Sequence, residues 1–267
     1  MTPLAECPRE TLANVVGVLT DIDETVSTHG RLTAQAYQAM AALKAAGLAL
    51  IPVTGRPAGW CDHIARFWPV DAVVGENGAF WMWHDRTAGK LRTRFVQSEA
   101  ERAEGRRRLQ AVRAEVLREV PGAGIASDQP YRAADLAIDF CEDVPPLGDA
   151  EVRRILEIFG RHGAHAKASS IHVNGWFGDY DKLTTSRLMM AELFGVDLAV
   201  DRARWVFVGD SPNDAPMFGY FPNAVGVANV HDHAATMDHL PRWITARRSG
   251  AGFAELIEAV LAARRQP

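Results

Sequence analysis

Val15-Val16-Gly17-Val18-Leu19-Thr20-Asp21-Ile22-Asp23-Glu24-Thr25 is the stretch that decides the fold. It is an apolar run rich in β-branched residues that stops at two carboxylates one residue apart, followed by a hydroxyl. A strand buried on both faces of a sheet reads this way, and its end releases the acids into a loop. In open α/β sheets, sites form in the crevice outside the carboxyl ends of such strands.

The same pattern repeats outward from this stretch. Thr33 can cap a helix carrying Ala36, Met40 and Leu43 on one face, and Gly47 closes it. Leu48 to Val53 is a second apolar run, ending at Thr54-Gly55-Arg56-Pro57. Pro52 cannot donate to a ladder, so this strand should be an edge or bent near its end. Pro57 suits the first turn of a helix to about Phe67, and Asp71 to Val74 leads into Gly75-Glu76-Asn77-Gly78. The pattern returns after Asp181, which can cap a helix running to Gly195. Trp205 to Val208 ends at Gly209-Asp210-Ser211-Pro212-Asn213-Asp214; Val225 to Val227 and Trp243 to Thr245 follow as strands, and a last helix places Phe253, Leu256, Ile257, Val260 and Leu261 on one stripe.

The middle of the chain differs. Phe80 to Trp83 and Leu91 to Val96 read as a hairpin, and Ser98 to Glu101 is a capping box for a long basic helix to about Val120. Leu136 to Phe140 alternates like a half-buried strand, Asp149 can cap a helix, and Ala166 to Asn174 is extended. The expectation is an α/β fold: a Rossmann-like parallel sheet core with helices on both faces, formed by residues 1–80 and 178–267. An α+β domain, 81–177, is inserted between them.

Composition narrows the class. The chain has 267 residues, 48% of them hydrophobic and 23% charged, with a net charge of -4. This is ordinary for a globular protein and gives no electrostatic reason to expect nucleic acid or an anionic membrane. No signal peptide and no apolar run of membrane length is readable. Cys7, Cys61 and Cys141 lack metal or redox spacing, and the expectation is reduced thiols in the cytoplasm.

Asp21 and Asp23, Thr54, and Asp210 and Asp214 all lie at strand ends, which point the same way in a parallel sheet. Four converging carboxylates would repel one another unless a divalent cation joined them, and oxygen ligands suit Mg²⁺. The segments Asp21-Ile22-Asp23-Glu24-Thr25, Val53-Thr54-Gly55-Arg56, Asp181-Lys182 and Gly209 to Asp214 resemble the four motifs of the haloacid dehalogenase (HAD) superfamily. The insert between the second and third resembles a type-II cap. Gly75-Glu76-Asn77-Gly78-Ala79 is similar to the branch holding sugar-phosphate phosphatases. Glu24 stands where many relatives have Gly or Asp.

The resemblance implies a Mg²⁺-dependent phosphatase for a small phosphorylated metabolite. Asp21 would be the nucleophile and Asp23 the acid and base. Thr54, Gly55, Lys182 and Asn213 would bind the phosphate. Asp21, Asp210, Asp214 and the Asp23 backbone carbonyl would serve the metal. Arg56 and Asn77 are candidates for substrate contact. A phosphosugar mutase using the same phospho-aspartate, or a non-catalytic phosphate-binding scaffold, are the alternatives. The arginines between 106 and 118 read as a solvated face paired with nearby glutamates.

Overall fold

The computed structural model of the chain describes residues 1–265; Gln266 and Pro267, the end of the expected core range, lie outside the described residues. Six short strands form a parallel sheet in the order Thr2–Pro3, Trp243–Ile244, Val225–Gly226, Trp205–Gly209, Gly17–Thr20, Ala49–Pro52. Gly17–Thr20 is an interior strand, paired on both sides with Trp205–Gly209 and Ala49–Pro52, in keeping with its unbroken burial. Ala49–Pro52 is the edge of this ladder, which is where a strand ending in proline can sit. Just past it, Val53 bridges in parallel to Val74, and this joins an antiparallel sheet of Val73–Gly75, Phe80–Asp85 and Lys90–Phe95.

Side chains alternate between the faces of the parallel sheet. Val18, Leu50, Val206 and Val208 enter one apolar cluster with Met40, Leu43, Phe253 and Ile257. Leu19, Ile51 and Phe207 enter another with Met189, Met190 and Phe218. Helices Ala34–Ala45 and Ser249–Arg265 therefore cover one face, and Lys182–Phe194 with Ala215–Tyr220 covers the other. This is the layered arrangement expected from a period-two apolar pattern buried on both sides.

The insert has its own sheet, ordered His165–Ala168, His172–Trp176, Leu136–Asp139, Gly124–Ile125, with helices Glu99–Glu119 and Asp149–Arg161 packed on it. Its separate cluster includes Leu109, Val112, Val116, Ile155, Ile158 and Phe159. Each fully buried aliphatic or aromatic side chain of this kind contributes about 1.5–3 kcal/mol. The hairpin Phe80–Asp85/Lys90–Phe95 was expected within the insert. It instead pairs with Val73–Gly75 and sends Phe80 and Trp81 into the two core clusters, so the separately packed unit begins at about Glu99.

Three local expectations are also corrected. Leu136–Asp139 is buried throughout rather than half-buried. Asp139 tolerates this because its carboxylate accepts the backbone N–H groups of Cys141, Glu142 and Asp143. The helix expected from Asp149 is capped by Gly148, with Asp149 as its first residue. Ala166 to Asn174 is two paired strands broken at Ser169 to Ile171. Among the described residues, no helix is long and apolar enough to cross a membrane.

Candidate active site

The loop after Gly17–Thr20 carries Asp21, and the loop after Trp205–Gly209 carries Asp210 and Asp214. These strands are hydrogen-bonded neighbours, so their acids meet. Lys182 arrives from the first turn of its helix, whose N-cap Asp181 accepts from Thr184 N–H. Two glycines make this convergence possible. Gly78 has φ +114°, and a Cβ there would collide with the Asp181 carbonyl, so only glycine lets the 76–78 turn abut that helix start. A Cβ on Gly209 would collide with the Asp214 carboxylate, which folds back over the strand end.

Asp21, Asp210 and Asp214 are buried and bring carboxylate oxygens within 4.8 Å of one another. Lys182 Nζ donates to Asp21 Oδ1 at 2.6 Å and to Asp214 Oδ1 at 2.8 Å. Asp214 Oδ2 accepts the backbone N–H of Asp210 at 3.0 Å and of Ser211 at 3.3 Å. Asp214 therefore holds Lys182 and its own loop in place. Asp210 accepts from Thr25 Oγ1 at 3.0 Å and from Asn229 Nδ2 at 2.8 Å.

The electrostatics follow from burial. Burial pushes Asp21 up to about 7; Lys182 opposes this, while Asp214 and Asp23 add to it. Burial, then the charges of Asp21 and Asp214, push Asp210 well above the ordinary carboxylate range. Burial works to lower Lys182, but Asp21 and Asp214 overcome it and hold the ammonium above its usual value. Three acids share one ammonium, an excess of negative charge that a divalent cation would relieve. The donor set, all carboxylate oxygen, fits Mg²⁺.

The side chain of Asp23, named above beside the metal site, does not join this group. Arg56 Nε holds its two oxygens at 2.9 and 3.1 Å. Arg56 is itself buried and reaches Glu142 Oε1 at 2.9 Å and Asp128 Oδ2 at 3.5 Å, both on the insert. Besides lining the cleft, it links the acid of the second loop position to the insert. Thr54 is fully buried, and its Oγ1 accepts the Arg56 backbone N–H at 3.0 Å. Asn77, with φ +54°, backs onto Gly55.

A narrow cleft of about 10 Å³, room for about one water, opens beside Asp21. Asp23, Gly55, Arg56 and Asn213 line it from the core; Ser169, Ser170, His172 and Asn174 line it from the insert. Thr54, Lys182 and Asn77 do not line it. Thr25, Asn229, Asp128 and Glu142 had been given no role. Asn229 lies just beyond the strand Val225–Gly226, so the strand-end rule could have found it.

No protein-family profile and no curated protein matches this chain. Solved structures do match. A Thermoplasma acidophilum protein superposes with a TM-score of 0.68 at 15% identity, covering 92% of this chain and 98% of that one. A haloacid dehalogenase-like hydrolase from Bacteroides thetaiotaomicron gives 0.60 at 14% identity, covering 92% and 99%. The fold is that of the haloacid dehalogenase superfamily. The HAD fold is also shared with a sucrose-phosphatase from Synechocystis sp., solved with sucrose and phosphate: TM-score 0.63, 14% identity, covering 92% and 97%. Matches spanning nearly both chains mean that core and insert are shared together.

Proposed function

We propose that this chain is a Mg²⁺-dependent phosphomonoesterase acting on a small phosphorylated metabolite, the phosphate ester of a sugar-like alcohol. One observation carries the reading. Asp21 lines a nearly closed cleft with only one oxygen engaged by a side chain, inside a buried acid group that holds a single ammonium. A scaffold has no need of so costly an arrangement. The fold shared with a sucrose-phosphatase is in keeping with it.

On this reading the free oxygen of Asp21 attacks phosphorus and the P–O bond to the alcohol breaks. Asp23 gives its proton to the departing oxygen, after its carboxyl turns from Arg56 toward the ester. Water then attacks the aspartyl-phosphate, Asp23 takes a proton from it, and the Asp21–phosphorus bond breaks. Lys182, the Gly55 amide and Asn213 offer donors to the phosphoryl oxygens. Asp21, Asp210 and the Asp23 backbone carbonyl would hold Mg²⁺, with Asp214 behind them, and the ion would offset the repulsion between nucleophile and ester. The insert turn Ser169–His172 would keep bulk water out. The three free cysteines suit a reducing compartment such as the cytoplasm.

The test is phosphate release from a panel of small phosphate esters with MgCl₂. Wild type should release phosphate, a chelator should stop it, and Asp21→Asn should lower it by at least about a thousandfold. Release no greater than that of Asp21→Asn would remove the reading.

A further inference from the structure

The cleft beside Asp21 is narrow, with room for about one water, so the alcohol must lie elsewhere. Beyond Asp23 and Arg56, a second cavity of about 230 Å³ continues along Ser170 and Ile171, which line both spaces. It is smaller than common ligand pockets, which run about 300–1,000 Å³. Ser170 Oγ is a buried atom without a hydrogen-bond partner, a polar group left for something that enters.

The charge around this chamber is unequal. Three carboxylates line it, Asp23, Glu24 and Glu142, against the Arg56 guanidinium and the His29 imidazole. Arg56 is already divided between Asp23 and Glu142, with Nη2 at 2.8 Å from Asp23 Oδ1 and 2.9 Å from Glu142 Oε1. Glu142 also stands 2.9 Å from His172 Nε2, at the rim between the two spaces. Glu24 adds its charge from a backbone position with φ +53°. Glycine would adopt that conformation freely, whereas a side chain there is strained. Its carboxylate is kept in place by Ser249 Oγ at 3.0 Å and Gly30 N–H at 3.3 Å.

We infer that Glu142, assisted by Glu24, determines specificity by rejecting anionic leaving groups: the outer chamber selects phosphate esters of small neutral or amine-bearing alcohols over those of hydroxy acids. A carboxylate on the leaving group would enter a confined space whose one guanidinium is already committed to three acids, Asp23, Glu142 and Asp128. In such a space like charges repel far more strongly than in bulk water. A neutral polyol instead meets hydroxyl, imidazole and carboxylate groups able to bond its hydroxyls. This rests on the phosphomonoesterase reading and names what that same site accepts.

The experiment compares kcat/KM for glycerol 3-phosphate, phosphoethanolamine and phosphoglycolate, with phosphate release as the readout. Wild type should prefer the first two over phosphoglycolate by at least about tenfold, and Glu142→Gln should narrow that ratio by about tenfold. Glu24→Gln, farther from the shared guanidinium, should narrow it less. Should Glu142→Gln fold poorly, the wild-type ratio and Glu24→Gln decide together. Equal use of phosphoglycolate by wild type, or a ratio that neither variant moves, overturns the inference while leaving the phosphatase intact. Failure of wild type to exceed Asp21→Asn on all three esters removes both together.

Discussion

Two buried clusters of charge lie on either side of Gly55, built from the same residue types and finished differently. At the seam between core and insert, Arg132 donates to both oxygens of Asp128, to both oxygens of Asp135 and to the Gly55 carbonyl. Glu76 beside it accepts four backbone N–H groups, from Ala58, Ala133, Ala134 and Asp135. Asn174 completes Asp135. Every acid there is answered. At the strand ends, by contrast, Asp21 and Asp214 share Lys182, Asp210 has only the neutral donors Thr25 and Asn229, and one oxygen of Asp21 has no hydrogen-bond partner among the described residues. A satisfied cluster locks one arrangement, whereas an unfinished one is ready to take a ligand. The first ties the insert to the loop of Gly55; the second is where chemistry can occur.

The largest effect should come from breaking the finished cluster. Arg132→Met leaves Asp135 buried without its cation and Asp128 with only the longer Arg56 contact, a loss of about 3–5 kcal/mol. At this chain length each kcal/mol shifts Tm by about 2–4 °C, so a fall of roughly 10 °C is expected. Asp21→Asn should do the opposite in metal-free buffer, with a Tm equal to or above wild type, because it removes one of three crowded like charges. Thermal melts of the two variants side by side check the contrast. A comparable fall in both would mean that the strand-end acids are structural too.

The contrast also marks what the sequence could reveal. Asp21, Asp23, Thr54, Asp210 and Asp214 were legible because each ends an apolar run, and parallel strands aim their ends alike. Lys182 was legible through the Asp181 cap and the motif order. The seam was not: Arg132 and Glu76 are 56 positions apart in the numbering, and no local pattern says which carboxylate a buried arginine will meet. Arg56 was noticed beside the site, but its partners Glu142 and Asp128 come from loops of the insert, whose paths depend on tertiary packing. The hairpin at Phe80–Phe95 was recognised as local structure and placed in the wrong unit, because pairing with Val73–Gly75 is decided by which sheet edge is free. Asp149 reads as a cap by residue type, yet the adjoining Gly148 takes the extended backbone of that position.

A smaller effect sharpens the unfinished half of the comparison. A cation bound only by the folded chain stabilises it by mass action, about 2.7 kcal/mol at one hundred times Kd. Titrating MgCl₂ during thermal melts should therefore raise the Tm of wild type. Asp210→Asn should lose most of that rise. Arg132→Met should keep it from its lower starting point, since among the described residues it is the strand-end acids, and not those of the seam, that group as metal ligands would. A flat wild-type response would break the assignment of the acid group to a divalent cation.

The smallest effect concerns the bridge between the two clusters, Arg56 and its insert partner. His172 and Arg56 hold Glu142 down to about 2, from an ordinary value of 4.5, against the opposing effect of burial. Below 4.5 the unfolded chain takes up this proton while the folded chain still refuses it. Stability from the contact is therefore complete above that pH and is lost as pH falls toward 2. Glu142 is 29% exposed, so solvent screening limits the contribution to roughly 1 kcal/mol. Glu142→Gln should carry that loss already at neutral pH and show a shallower decline of Tm on acidification. Other acid-sensitive pairs, such as Glu119 with Arg161, remain in both proteins and cancel in the difference. Parallel acid limbs for the two proteins would mean that the insert is held to the core by the Arg132 seam alone, with Glu142 free to serve the chamber without closing it.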